Sequence, residues 1–247
     1  VALSGANFNG NKFIKQALDL GCLYAVSDDP KYSNYENVVV VDDSLGFLQD
    51  FANFHRNMFK IPVLGVTGTN GKTTTKELLN AVLSEKYNVL STLGNLNNHI
   101  GVPLTLLRLR KNHDFAIIEM GANHIGDIKE LCKIAEPNYG VITNVGKAHM
   151  EGFGSFQNII TTKTELYNFV ESIKGRLFVN LNETDVFHPQ VLGKFESSFR
   201  HALFQVVAII TTTGFVTGDF ISWTPFITMF FFGIMFLGGS SGSTSGG

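Results

Sequence analysis

Seven consecutive residues, Gly68-Thr69-Asn70-Gly71-Lys72-Thr73-Thr74, combine what a phosphate chain asks of a protein. Glycines at 68 and 71 let backbone N–H groups turn inward around phosphate oxygens. Lys72 brings a positive charge to the β/γ end, and the Thr73 hydroxyl suits Mg²⁺. The apolar run Ile61 to Val66 precedes the loop and the helix-like stretch Lys76 to Lys86 follows it, so that helix aims its N-terminus at the same anion. The general pattern G-x-x-x-x-G-K-[ST] fails at one position, where Val66 stands in place of the first glycine. A glycine-rich turn carrying an exposed lysine is the plain alternative. The order of strand, loop, Lys-Thr-Thr and helix favours nucleotide binding.

Three other residues invite a chemical reading. Glu119 ends the apolar strand Phe115 to Ile118 and would project beside the phosphate loop, where a carboxylate can hold Mg²⁺ against a nucleotide; acids at strand ends are also common without function. His149 follows the strand Gly140 to Thr143, within Asn144 to Gly154, and a lone loop histidine is more often structural than a ligand. Lys163, in Thr161-Thr162-Lys163-Thr164-Glu165-Leu166, reads by itself as an ordinary solvated helix lysine.

The elements that must position these groups follow from the hydrophobic pattern. Residues 1–60 contain a helix-like Lys12 to Leu20, an apolar run Val38 to Val41 and a helical stretch Ser44 to Met58, which read as a small α/β domain missing its start. From Ile61, apolar strands alternate with amphipathic helices: Pro62 to Val66, Asn88 to Ser91, Phe115 to Ile118, Gly140 to Thr143 and Leu177 to Asn180. Continuous apolar strands between helices predict a parallel sheet covered on both faces, with ligands at the carboxyl ends of its strands. The phosphate loop, Glu119 and Asn144 all fall there.

Composition narrows the setting. The chain has 247 residues and a net charge of -2, which gives no general reason to expect nucleic acid. Cys22 and Cys132 are far apart and lack a C-x-x-C or His-rich context, so neither a disulfide framework nor a structural zinc is expected. A reducing cytoplasm is the default location. No signal peptide opens the sequence, which begins at Val1.

Over about residues 1–180 the combination of motifs resembles the Mur ligases of peptidoglycan synthesis. The segments TGTNGKTTTKE (67–77), GNLNNHIGVPLTLL (94–107), EMGANHIGDI (119–128) and TNVGKAHMEGFGS (143–155) resemble the branch that adds D-alanyl-D-alanine to a UDP-MurNAc-tripeptide. The opening Ala2 to Gly10 is similar to that family's UDP-sugar domain motif ALKGENFDG, with Ala6 where glutamate is usual.

The resemblance implies that Gly68, Thr69, Asn70, Gly71, Lys72, Thr73 and Thr74, with Asn144, bind ATP. Thr73, Glu119, His149 and Lys163 would hold Mg²⁺, Lys163 after reacting with CO₂ to give a carbamate. Lys72, Lys163 and His149 would form the catalytic set, and Asn95, Asn97 and Asn98 would line the UDP-MurNAc-peptide side. The implied reaction joins UDP-MurNAc-tripeptide to D-Ala-D-Ala through an acyl phosphate. The expected architecture is a truncated N-terminal α/β substrate domain (1–60) followed by an incomplete P-loop parallel-sheet ATPase domain (61–180). The rest of the ligase pattern is missing, so the chain alone should not complete the ligation.

From His201 onward the only charged side chain is Asp219, and eight phenylalanines crowd together. The apolar pieces Ala202 to Ile210 and Pro225 to Leu237 are each shorter than a full membrane span: Trp223 to Leu237 as a helix covers roughly 22 Å against about 30 Å of bilayer core. The tail (195–247) resembles a fragment of the Trk/Ktr potassium uptake proteins, in which the carbonyls of Thr212, Thr213 and Gly214 would form one quarter of a filter. The expectation is an apolar, helical, membrane-like tail joined to the ligase portion within 181–194, with membrane contact confined to 201–238. A membrane-tethered nucleotide-binding module is the rival reading, and a rearranged or artificially joined gene would account for the junction.

Overall fold

A computed structural model describes residues 1–146 and 150–179. His149, the junction at 181–194 and the tail at 195–247 therefore lie outside the described residues. Among the described residues, no helix is long and apolar enough to cross a membrane.

The N-terminal portion holds two small sheets. β1 (Ser4–Gly5) pairs antiparallel with β2 (Phe8–Asn9), and a 3₁₀ turn at Gly10–Phe13 leads into α1 (Ile14–Asp19). The single helix expected over Lys12 to Leu20 is thus two pieces, because the Asn9 side chain accepts the Asn11 N–H and starts a tight turn first. β3 (Ala25–Ser27) then runs parallel to β4 (Val38–Val40), and Ala2, Ile14, Ala25 and Val38 form a small core beneath them.

Asp43 caps α2 (Ser44–Asn57) by accepting the Leu45 N–H. This helix packs against the helical layer of the five-stranded main sheet. Its buried Arg56 donates from Nε to the Ala135 carbonyl at 3.0 Å, from Nη1 to Phe59 O at 2.8 Å and from Nη2 to Glu136 O at 3.2 Å. The contacts to Ala135 and Glu136 satisfy carbonyls at the end of a neighbouring helix that would otherwise be orphaned.

The main sheet contains five parallel strands: β5 (Val63–Thr67), β6 (Val89–Ser91), β7 (Phe115–Glu119), β8 (Tyr139–Ile142) and β9 (Arg176–Phe178), in the order β6-β7-β5-β8-β9. The crossovers are α3 (Lys72–Ser84), α4 (Gly101–Leu106), α5 (Asp127–Ala135), and the pair α6 (Met150–Phe153) and α7 (Phe156–Ser172). Alternate side chains divide the core. Leu64, Val66, Ile117 and Val141 face Leu79 and Leu83 of α3, whereas Val63, Ala116, Ile118 and Ile142 join Leu131, Leu166 and Val170 of α5 and α7. Both faces are covered, as the continuous apolar strands require.

The chain leaves β5 toward β6 on one side, returns through β7 and reaches β8 on the other. The sheet's switch point therefore lies at β5, flanked by β7 and β8, and the loops after all three strands meet there.

Candidate functional site

Three strand ends build the site. After β5, Gly68 adopts φ +146°, and a Cβ added there would lie 2.0 Å from Thr143 Oγ1 and 3.1 Å from the backbone N and O of Asn144. Only a residue without a side chain lets the loop lie this close to the end of β8. From that side the loop is held firmly. Asn144 Oδ1 accepts the Asn70 N–H at 2.8 Å, Thr69 N–H donates to Asn144 O at 3.0 Å, and Thr143 Oγ1 donates to Asn70 O at 2.6 Å. Thr69 Oγ1 also exchanges hydrogen bonds with the Gly146 backbone.

Gly71, left-handed at φ 72°, opens α3 with no side-chain cap. The first N–H groups of the helix are thereby left facing the loop. The helix starts at Lys72, a turn earlier than the expected Lys76, so Lys72, Thr73 and Thr74 form its first turn. Three successive threonines have low intrinsic helix preference and hide this start from sequence patterning. Lys72 Nζ folds back to donate to Gly68 O and Thr69 O, each at 2.9 Å. Burial pulls its pKa below the ordinary lysine value, and the charge of Glu119 partly opposes that shift.

Glu119 ends β7 with only 1% of its surface exposed. Its Oε1 accepts from Thr73 Oγ1 at 3.2 Å and from Asn97 Nδ2 at 2.8 Å. Its Oε2 is buried without a hydrogen-bond partner. A buried carboxylate oxygen left open beside a threonine hydroxyl and a phosphate-type loop fits a hard divalent cation that takes its remaining ligands from phosphates and water. Among the described residues no three His, Cys, Asp or Glu side chains gather, and Glu119 and Thr73 are the described groups placed to hold such a cation.

Lys163 departs from its sequence reading. It is buried at 3% exposure on the inward face of α7, with Nζ 5.9 Å from the centre of the Phe153 ring. Burial, reinforced by the positive Lys72, pulls its pKa down to about 7, with Asp127 and Glu165 acting in the opposite sense. A neutral amine at neutral pH is the form that can react with CO₂.

This depression has a stability consequence. Below pH 7 the ammonium is charged in both the folded and unfolded chain, and its burial penalty is fully present. Between pH 7 and 10.5 only the unfolded chain holds the proton, so stability rises with pH. In metal-free buffer the chain should gain on the order of 2 kcal/mol between pH 7 and 9 relative to Lys163→Met. Urea melts at the two pH values measure that difference, and parallel curves for both proteins would refute it.

The three asparagines separate. Asn97 reaches Glu119, and its backbone carbonyl accepts the Gly121 N–H at 2.8 Å. Asn98 is exposed and caps the start of α4 by accepting from the Ile100 and Gly101 N–H groups, while Asn95 is exposed. Sequence reasoning missed Lys76 and Thr92. Thr92 Oγ1 accepts the Glu119 backbone N–H at 3.0 Å, and no spacing rule announces that contact.

Fold and site together define a parallel α/β architecture with a glycine- and lysine-bearing loop at the switch point of its sheet. Residues 66–203 match the Mur ligase middle domain, and the chain belongs to that family. It is 49% identical over 168 residues to the UDP-N-acetylmuramoyl-tripeptide--D-alanyl-D-alanine ligase of Synechocystis, covering 67% of this chain and 37% of that protein. The corresponding Bacillus subtilis ligase is 42% identical over 170 residues, covering 68% and 37%. The chain thus spans little more than a third of the curated relatives it matches. Among solved structures, MurF from Acinetobacter baumannii superposes with a TM-score of 0.64 at 39% identity, covering 68% of this chain and 37% of that one. MurF ligase from Thermotoga maritima in complex with ADP gives 0.63 at 39%, covering 68% and 39%.

Proposed function

We propose that this chain carries the nucleotide-activating part of an ATP-dependent amide ligase that adds D-Ala-D-Ala to UDP-MurNAc-tripeptide in cytoplasmic peptidoglycan precursor synthesis. The observation that supports this most is the pinned Gly68–Lys72 loop facing the buried Glu119, in a chain 42% and 49% identical to ligases of that name. In this reading residues 1–60 are part of the UDP-MurNAc-binding domain and 61–180 part of the ATP-binding domain.

The chemistry follows from the electrophile. A carboxylate resists attack by an amine, so the terminal carboxylate of the tripeptide first attacks the γ-phosphorus of ATP. The bond to ADP breaks and an acyl phosphate forms. The amine of D-Ala-D-Ala then attacks the acyl carbon, and inorganic phosphate leaves. Lys72 turns from its own carbonyls toward the β/γ-phosphates, and the N-terminus of α3 faces the same charge. Glu119 and Thr73 would hold Mg²⁺, joined by His149 and a carbamylated Lys163, and the ion would offset phosphate charge. Asn144 shapes the loop from behind, and in this reading Asn95, Asn97 and Asn98 would line the UDP-MurNAc-peptide side.

Calorimetric titration tests the reading: the purified chain should bind ATP with Mg²⁺ but release no ADP when UDP-MurNAc-tripeptide and D-Ala-D-Ala are both supplied. Absence of ATP binding would remove the nucleotide assignment. ADP release dependent on both substrates would show instead that the chain completes the reaction.

A further inference from the structure

A lysine ammonium buried beside the unpartnered oxygen of Glu119 is a feature the proposed reaction does not use. Lys76, one turn into α3, has no exposed surface. Its Nζ donates to Thr92 O at 2.7 Å and to Gly94 O at 3.3 Å, pairs with Glu77 Oε1 at 2.8 Å, and stands 3.9 Å from Glu119 Oε2. The distance to Glu119 is too long for a good hydrogen bond yet close enough for direct charge attraction.

The segment Lys76 grips also holds Glu119. Thr92, whose carbonyl takes the ammonium, accepts the Glu119 N–H through Oγ1 and donates its own N–H to Ile117 O. Three residues beyond Gly94, Asn97 donates to Glu119 Oε1. Lys76 therefore ties the helix that begins at the phosphate loop to the segment that fixes both the backbone and one carboxylate oxygen of Glu119.

We propose that Lys76 is a positioning residue that fixes the orientation of the Glu119 carboxylate beside Thr73, on the cation side of the nucleotide site, by bracing Thr92–Gly94 and by holding Oε2 through charge attraction. The inference rests on the nucleotide reading above. Lys76 lies inside the protein, so the carboxylate is already oriented before a cation arrives. Groups of this kind, behind a ligand, typically change metal affinity about 10- to 100-fold when removed.

The test compares ADP affinity with and without Mg²⁺ by calorimetry, together with thermal unfolding, for the intact chain and for Lys76→Gln and Lys76→Met. Glutamine keeps a donor for the Thr92 carbonyl and drops the charge. The expected result is a cooperative melt for Lys76→Gln, Mg²⁺-free ADP affinity close to wild type, and a Mg²⁺ enhancement smaller by about tenfold or more. Lys76→Arg, which keeps the charge, should recover part of the enhancement. In a Glu119→Gln background, Lys76→Gln should change the enhancement no further.

An unchanged enhancement in a folded Lys76→Gln protein would overturn the proposal and leave the nucleotide reading standing. Loss of cooperative unfolding in both Lys76→Gln and Lys76→Met would also overturn it, since the ammonium would then be a requirement of the fold. A wild-type chain with no Mg²⁺ enhancement would remove this inference, and one with no ADP binding would remove the nucleotide reading as well.

Discussion

Lys72→Ala should weaken ATP binding by about a hundredfold, equivalent to roughly 3 kcal/mol, while leaving the fold intact. In the structure the ammonium rests on Gly68 O and Thr69 O, within the loop itself, so its removal breaks no contact between elements. Burial without nucleotide already disfavours its charge, and the truncation should therefore not lower the unfolding midpoint. A nucleotide changes that balance, because phosphate oxygens are better acceptors for a buried ammonium than two neutral carbonyls. Titration calorimetry with ATP and Mg²⁺ on both proteins, alongside thermal melts, separates the two effects. Equal affinity in the two forms would remove the phosphate-loop assignment.

Gly68→Val should fail in a different way, losing nucleotide binding and stability together. A Cβ at this position would sit 2.0 Å from Thr143 Oγ1, a distance no real contact tolerates, at a φ of +146° that branched side chains avoid. The Thr143 hydroxyl cannot simply swing away, since it donates to Asn70 O at 2.6 Å. The loop would have to lift from the end of β8, giving up its Asn144 contacts as well. Strain and lost hydrogen bonds together should cost about 3 kcal/mol or more, a fall in unfolding midpoint of roughly 10 °C for a folded region of this size. Thermal melts and ATP titration would read both losses. Retention of wild-type affinity would mean that the loop does not need its observed seat.

The central strands of the main sheet are legible because β5, β7 and β8 are buried on both faces and so read as apolar runs. Pro62 to Val66 was expected where Val63–Thr67 is found, and Phe115 to Ile118 where Phe115–Glu119 is found. The loop between β5 and α3 is legible for a related reason: glycine, lysine and threonine in that order have few structural uses between a strand and a helix. Lys163 was not legible from the residues alone. A lysine among threonines on a helix carries no sign of burial, and what buries it is the docking of α7 on β8 and α5, a tertiary fact. Lys76 and Arg56 are hidden for the same reason, as charged side chains held in part by carbonyls distant in sequence, Thr92 and Gly94 for one and Ala135 and Glu136 for the other. The start of α3 was misplaced because helix preference is a weak guide where the preceding loop fixes the first turn.

The side-chain and backbone clasp on residues 68–70 bears on the rate and heat of ligand uptake. A loop already held by Thr143 and Asn144 has little conformational freedom left to surrender when an anion enters, so the entropy of ordering it belongs to folding. In the proposed nucleotide reading, uptake would amount chiefly to an exchange of partners, with Lys72 leaving two carbonyls for phosphate oxygens. Association should accordingly proceed in a single fast phase without a slow loop-closing step, and its heat-capacity change should remain small, as expected where little new surface is folded away.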